Sequence, residues 1–497
     1  MILKGLVLAF MSILLSSCNI GNTHYDLVIE GGRVIDPESG LDAVRTIGVI
    51  GGEIAAITEI SLEGDRVIQA AGLVVVPGFI DLHEHGQDED SYRMMVRDGV
   101  TTALELEVGT ADVEGWYAER EGGQLVNHGV SIGHIRVRMD VLGDPGDFLP
   151  AGIGGSATAT EEQLDEIERD IREGIMQGAV AVGFGSAYTP GATMGEVERM
   201  FRVAGENGVS AHIHMRNGLA GLDSTISAAS RAGAPLHIVH ANSSAGGRIN
   251  EFLSTIEVAQ ASGQDVTTEA YPYSAGMTRI ESALFDNWEN WDEEQFGIHQ
   301  LVSTGERLTR ETFARARAVG GTVIIHSRTE EMTRAAVESP ITMIASDGFI
   351  EDGRGHPRTS GSYSKVLGQY TREEGVITLP EAIHKMTLMP AQRLEARVPD
   401  MADKGRIRIG AHADITIFSA ETVIDRATYM DASIPPEGIP YVIVGGELVV
   451  DGGGDHCSET WRASKSANSI RFGVTNCSEA DFYEAKVSLS RYCAIGP

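Results

Sequence analysis

The run Val76-Pro-Gly-Phe-Ile-Asp-Leu-His-Glu-His85 is apolar and ends in His-x-His. Side chains two apart on a strand point the same way, so His83 and His85 share a face while Glu84 turns from it. Two imidazoles on one face at the end of a buried strand can clamp a metal ion. Further metal-ligand residues close other apolar runs: Glu105 and Glu107, His212 and His214, His240, and Asp347 in Ala345-Ser-Asp-Gly348. Singly, each has a plainer role, as a hydrogen-bonded histidine or a turn-forming aspartate. Their recurrence where apolar runs stop points to one metal-dependent site.

Such residues need a frame that brings strand ends together. From about residue 76 to 398 the chain alternates strand-like and helix-like segments. Apolar or β-branched runs occupy residues 101–106, 130–137, 179–184, 210–214, 236–240, 265–270, 322–326 and 341–345. Helical patterns lie between them, as at 161–176, where Thr160 is suited to the N-cap, and at 194–206. With the opening strand there are nine candidates, one more than an eight-stranded barrel needs, so one is misplaced. The pattern predicts an α/β chain built on a (β/α)8 TIM barrel, whose functional residues sit at strand C-terminal ends.

Short strands between glycine pairs flank this middle, at 26–30, 33–36, 46–50 and 53–57 and again at 413–418, 441–444 and 447–450. They predict a small β-sandwich assembled from both chain ends, residues 25–75 and 400–452, around a barrel of residues 76–399. The first 18 residues read as an export signal, with Lys4 as the positive region and an apolar stretch too short to span a bilayer. Residues 453–497 form an extension carrying Cys457, Cys477 and Cys493. One disulfide is expected among them in an oxidising compartment, with the pairing open.

The 497 residues suffice for a large core, and 42% hydrophobic content is ordinary for an enzyme. A net charge of −32 argues against a nucleic-acid or anionic-membrane surface, both of which need basic patches. Oligomeric state is not legible.

Leu15-Ser-Ser-Cys18 resembles a bacterial lipobox, which implies cleavage before Cys18 and lipid attachment to it. Asn19, rather than Asp, follows; by analogy this implies an outer-membrane lipoprotein facing the periplasm, held to the membrane only by that anchor.

The chain as a whole resembles the amidohydrolase superfamily, and within it the N-acyl-D-amino-acid deacylase (D-aminoacylase) group. The resemblance rests on the segment 77–85, Gly99-Val-Thr-Thr102, Gly133-His134, His214-Met-Arg216 and His237-Ile-Val-His240. It continues through Tyr271-Pro-Tyr273, Ala345-Ser-Asp-Gly348, Gly355-His-Pro-Arg358, Met389-Pro-Ala-Gln-Arg-Leu394 and Lys404-Gly-Arg-Ile-Arg-Ile-Gly410. It implies a TIM barrel with zinc, as one or two ions, held by His83, His85, His214, His240 and Asp347. It also implies that Asp347 takes the proton of the attacking water and passes it to the leaving amine. His212 shares the face of His214 on an ideal strand; the match to His-Met-Arg selects His214.

The chain departs from the family pattern in two places. The strand at 179–184 has no lysine that could be carboxylated to bridge two metals, and the strand after Gly99 has no cysteine. Glu107 stands nearest that cysteine position and is the expected bridging ligand, with Glu105 turned outward to a salt bridge. For substrate, an N-acyl amino acid or peptide, Arg358 is the expected carboxylate partner. Arg216 and Arg279 are lesser candidates, and Tyr188 and Tyr273 lie in loops where the family places substrate contacts. Asn242 stands where relatives often carry a lysine. The expected reaction is hydrolysis of a linear amide in N-acyl-D-amino acids or D-residue-containing peptides. The alternatives are a dipeptidase or cyclic-amide hydrolase of the same superfamily, or a non-catalytic binding lipoprotein. A carboxylate-pair glycosidase would share the fold but not the histidine-rich strand ends.

Overall fold

Eight short runs, buried on both faces, become the parallel strands of a barrel in the computed structural model, which describes residues 23–452. They are β1 (Phe79–Asp81), β2 (Val100–Thr110), β3 (Asn127–Gly133) and β4 (Ala181–Gly185), then β5 (Ser210–His214), β6 (Leu236–Ile238), β7 (Val266–Ala270) and β8 (Thr342–Ile344). Each pairs with its neighbour in the order β8-β7-β6-β5-β4-β3-β2-β1. Near-continuous burial is what a parallel sheet covered by helices demands of its strands. The helix Glu161–Met176 opens with a capping box between Thr160 and Gln163, as its sequence suggests.

The two ends of that order meet at the rim. Glu84 bridges Gly348, the Asp347 amide donates to the His83 carbonyl (2.7 Å), and the His85 amide donates to the Gly348 carbonyl (2.8 Å). Beneath them the Asp81 carboxylate accepts the amides of His83 (3.0 Å) and Ser346 (3.1 Å). Burial pushes the Asp81 carboxyl up to about 7, against the pull of those donors. The barrel is thus closed by the segments that carry His83, His85 and Asp347.

The surplus ninth strand is Thr322–Ile325. It does not enter the barrel but pairs antiparallel with Gly276–Arg279 and His299–Leu301, in a separate sheet inserted between β7 and β8. That insertion has its own core of Phe285, Phe296, Phe313 and Val323. Periodicity cannot tell such a run from a barrel strand, because both are short and buried. The run at 130–137 also breaks early: β3 stops at Gly133 and the helix His134–Leu142 begins.

Strands from both chain ends combine in one eight-stranded sheet. His24–Asp36 is a single long strand with an irregularity between Ile29 and Gly32, where two were expected, and Glu63–Gln69 is an added strand that pairs parallel with it. Val74–Pro77 pairs antiparallel with Ile415–Phe418. Alternation there decides which side each residue serves. Val75, Ile415, Ile417 and Ile443 enter the core of the small β domain, whereas Val74, Val76, Phe418 and Val442 pack with Tyr92, Met95 and Tyr363 against the barrel. Buried Asp414 pins the junction, accepting from Lys404 Nζ (2.6 Å), Asn127 Nδ2 (3.0 Å) and the Gly445 amide (2.7 Å). The export signal with its Cys18 and the cysteine-bearing extension lie outside the described residues.

Candidate metal centre

Each strand delivers its polar residue as it runs out. His83 and His85 follow β1, Glu107 lies on β2, His214 ends β5, His240 follows β6 and Asp347 follows β8. Their side chains converge. His83 Nε2 lies 3.1 Å from His85 Nε2, and His240 Nε2 lies 3.2 Å from His214 Nδ1. Glu107, 2% exposed, stands between the pairs: Oε2 is 2.7 Å from His83 Nε2 and Oε1 is 3.2 Å from His214 Nδ1. Asp347 Oδ1 adds a second carboxylate, 3.3 Å from His85 Nε2 and 3.6 Å from His83 Nε2.

These spacings fit metal coordination. Ligands on a tetrahedral ion with bonds of about 2.0–2.1 Å sit about 3.3 Å apart. Three overlapping triads fall within 4.8 Å: His83/His85/Glu107, His83/His240/Asp347 and Glu107/His214/His240. Glu107 belongs to two of them, as a carboxylate bridging two positions must. Its buried Oε1 has the His214 ring nitrogen beside it at 3.2 Å but makes no hydrogen bond of good geometry, and a cation would satisfy it.

The electrostatics agree. Burial pushes Glu107 up, but the charge of His214 and the close approach of His214, His240 and His83 outweigh it and hold the carboxyl well below the usual range. Burial and neighbouring His214 push His240 down to about 4, leaving a neutral imidazole with a free lone pair. Burial also lowers His83, yet Asp347, Glu269 and Glu107 together raise it well above its ordinary value. Anions converge there so strongly that a metal would displace a proton on binding. Burial raises Asp347, but Arg358, His83 and His85 prevail and keep it ionised. Asp347 (φ 52°) and His240 (φ 37°) both adopt left-handed backbone, strain of the kind that clusters at functional sites.

Two residues lie differently from the sequence expectation or escape it. Glu105 does not turn outward: two positions from Glu107 on one strand, it shares the inward face. Its Oε2 is 2.6 Å from His85 Nδ1, and its Oε1 accepts the Val108 amide at 3.0 Å. Glu269, on β7, was not legible as a site residue. Its Oε1 lies 2.5 Å from His83 Nδ1 and its Oε2 lies 3.0 Å from His237 Nε2. The available signal was an acid in the buried strand Val-Thr-Thr-Glu-Ala, the same oddity as in β2. These carboxylates fix the tautomers of His83 and His85 so that each presents Nε2 to the centre. Glu269→Gln is expected to weaken metal binding roughly 10- to 100-fold. Chelator competition would measure this, and an unchanged affinity would remove Glu269 from the support of His83. His212 shares its strand face with His214 but lies a layer deeper, 3.0 Å from Ser210 Oγ and with its ring tilted against His237, centroids 4.6 Å apart.

The substrate candidates separate into two groups. Arg358 is buried beside the centre, its Nη1 2.8 Å from Asp347 Oδ2. The Tyr188 ring lies 4.7 Å from His214, and its hydroxyl accepts from Thr278 at 3.2 Å. The others are engaged elsewhere. Arg216 braces the carbonyls of Pro190 and Ala192, Asn242 donates to the Tyr271 carbonyl (3.0 Å), and the Tyr273 hydroxyl donates to Asp425 (3.1 Å). Arg279 pairs with Glu351 at 2.6 Å.

Comparison with known proteins places this arrangement. N-acyl-D-glutamate deacylase of Alcaligenes xylosoxydans xylosoxydans is 29% identical over 473 residues, covering 85% of this chain and 93% of that one. D-aminoacylase of the same organism is 29% identical over 477 residues, covering 86% and 94%. The crystal structure of N-acyl-D-glutamate deacylase from Bordetella bronchiseptica, complexed with zinc and a phosphonate inhibitor, matches with a TM-score of 0.78 at 24% identity. It covers 91% of this chain and 100% of that chain. The family model Amidohydro_3, described as an amidohydrolase family, matches residues 138–450. With well over half its length matched by that model, and a barrel whose strand ends gather histidines and carboxylates, the chain belongs to the amidohydrolase family.

Proposed function

We propose that this protein is a zinc-dependent amidohydrolase that cleaves the linear amide of N-acyl-D-amino acids or of peptides carrying a D residue. The observation that carries the reading is the position of Glu107 between His83/His85 and His214/His240, with Asp347 alongside. Imidazole nitrogen and carboxylate oxygen are donors that zinc accepts, and the overlapping triads accommodate one ion or two. Zinc bound there supplies Lewis-acid polarisation of the amide carbonyl and lowers the pKa of water.

The chain's own residues do the rest. Asp347 takes a proton from the attacking water at Oδ1, holds it, and returns it to the leaving nitrogen as the amide parts into acid and amine. Arg358, buried and with its Nε lacking a partner among the described residues, offers a guanidinium to the substrate carboxylate. The Tyr188 ring walls the site beside His214. The relatives named for deacylation of N-acyl-D-glutamate and for D-aminoacylase activity support the linear-amide reading over a cyclic one.

The test is elemental analysis of the purified protein together with hydrolysis of paired N-acetyl-D- and N-acetyl-L-amino acids. Bound zinc with D-selective release of amine is expected. Hydrolysis confined to all-L dipeptides or cyclic amides would sink the reading.

We further read Cys18 as a lipid-bearing residue that holds the enzyme at the outer membrane, facing the periplasm, from the Leu-Ser-Ser-Cys sequence. Cys18→Ser is expected to move the protein from the membrane to the soluble fraction, and an unchanged distribution would count against the anchor.

A further inference from the structure

Beside the metal centre the structure holds a second guanidinium with no counter-ion. Arg328 follows the inserted sheet, and its Nη2 donates to Ser243 Oγ, in the turn after His240. Its Nη1 is buried and has no hydrogen-bond partner, and no carboxylate among the described residues lies within ion-pair distance of it. Nearby Glu330 is engaged elsewhere, accepting from the Tyr370 hydroxyl and from Gln369. An unpaired guanidinium donor held out of water is costly unless something pairs with it.

Arg328 does not stand alone. Its Cζ lies 5.8 Å from the centroid of the Tyr271 ring, and the Cζ of Arg358 lies 4.6 Å from the same centroid. The Tyr271 hydroxyl is buried and unpartnered, as is the Nε of Arg358. Two guanidinium groups therefore stand against one phenol ring, and the acid paired to them is Asp347, bound by Arg358, which the reaction needs for proton transfer. Buried His356 does not add a further charge: burial and the positive charge of Arg358, with Arg328 assisting, push it well down and leave it neutral. Arg358 is matched by Asp347 and by the carboxylate common to all N-acyl amino acids, whereas Arg328 has no carboxylate of its own among the described residues.

We propose that Arg328, with the Tyr271 hydroxyl, binds a second carboxylate on the substrate, so that the preferred substrates are N-acyl-D-amino acids with acidic side chains. The inference rests on the deacylase reading and assigns Arg328 as its specificity-determining residue. A carboxylate accepts two parallel bonds from a guanidinium, whereas a side-chain amide of the same shape accepts weaker ones and carries no charge. N-acetyl-D-glutamate and N-acetyl-D-glutamine are therefore the decisive pair.

The experiment measures kcat and KM for these two substrates, and for N-acetyl-D-leucine, with zinc-loaded wild type, Arg328→Gln and Arg328→Lys. The wild type is expected to favour the glutamate substrate by at least about tenfold in kcat/KM. Arg328→Gln should lose roughly 10- to 100-fold on that substrate, chiefly through KM, with little change on the other two. Arg328→Lys should restore part of the loss, and it decides the matter if the Gln variant proves too unstable to assay. Equal losses on all three substrates would overturn the proposal, since Arg328 would then serve the common carboxylate or the scaffold. A wild type that does not discriminate glutamate from glutamine would overturn it too. If none of the three D substrates is hydrolysed while zinc is bound, the deacylase reading itself fails and takes this one with it.

Discussion

Asp347→Asn is expected to fold, to retain metal, and to lose roughly 10²- to 10⁴-fold in kcat. The choice of asparagine matters. Asp347 has φ 52°, a left-handed conformation that Asn tolerates nearly as well as Asp and that other side chains resist. The amide keeps an oxygen where Oδ1 faces His85, and the backbone amide still closes the barrel rim on the His83 carbonyl. What disappears is the capacity to take a proton from water and return it to the amine. Steady-state kinetics beside elemental analysis checks this. Full turnover in the variant would assign the proton transfer to another group.

The second large effect is on metal content. Glu107→Ala removes the carboxylate that contacts both histidine pairs, leaving four imidazoles within a few ångströms of one another with Asp347 as the remaining proposed carboxylate ligand. Metal affinity should fall by more than the roughly 100-fold that loss of a supporting residue costs. Glu105→Ala should be milder, about 10- to 100-fold, because Glu105 acts through His85 Nδ1 and leaves every proposed ligand in place. Titration of the two metal-stripped variants with zinc separates them. The reverse ranking would transfer the bridging role to Glu105.

The site was more legible than the frame around it. His-x-His at the end of an apolar run, and carboxylates inside β2, announce themselves because chemistry-bearing residues in buried strands are costly and need a reason. Sequence order also carried the alternation of strand and helix that makes a barrel. What it could not carry was partnership between distant segments. Thr322–Ile325 has the composition of a barrel strand, and only its antiparallel neighbours Gly276–Arg279 and His299–Leu301 reveal another sheet. Glu269 gave the same local signal as Glu105, yet its role depends on His83, 186 positions earlier in the chain. Likewise Arg216 and Asn242 looked fit to meet a substrate, and the carbonyls that occupy them belong to loops that sequence does not position.

The rim closure described above has a topological meaning. Ser346 and Asp81, which meet there, are 265 positions apart in the chain. Contacts of such separation form only after a large loss of chain entropy, and they are the natural place for a barrel to come apart first. An ion gripped by His83 and His85 from one side of that join and by Asp347 from the other would act as a cross-link on a long loop of the barrel, much as a disulfide would. Ion release then requires only the local parting of two strand ends rather than global unfolding. The same residues that would activate water therefore also determine how long the fold keeps its metal.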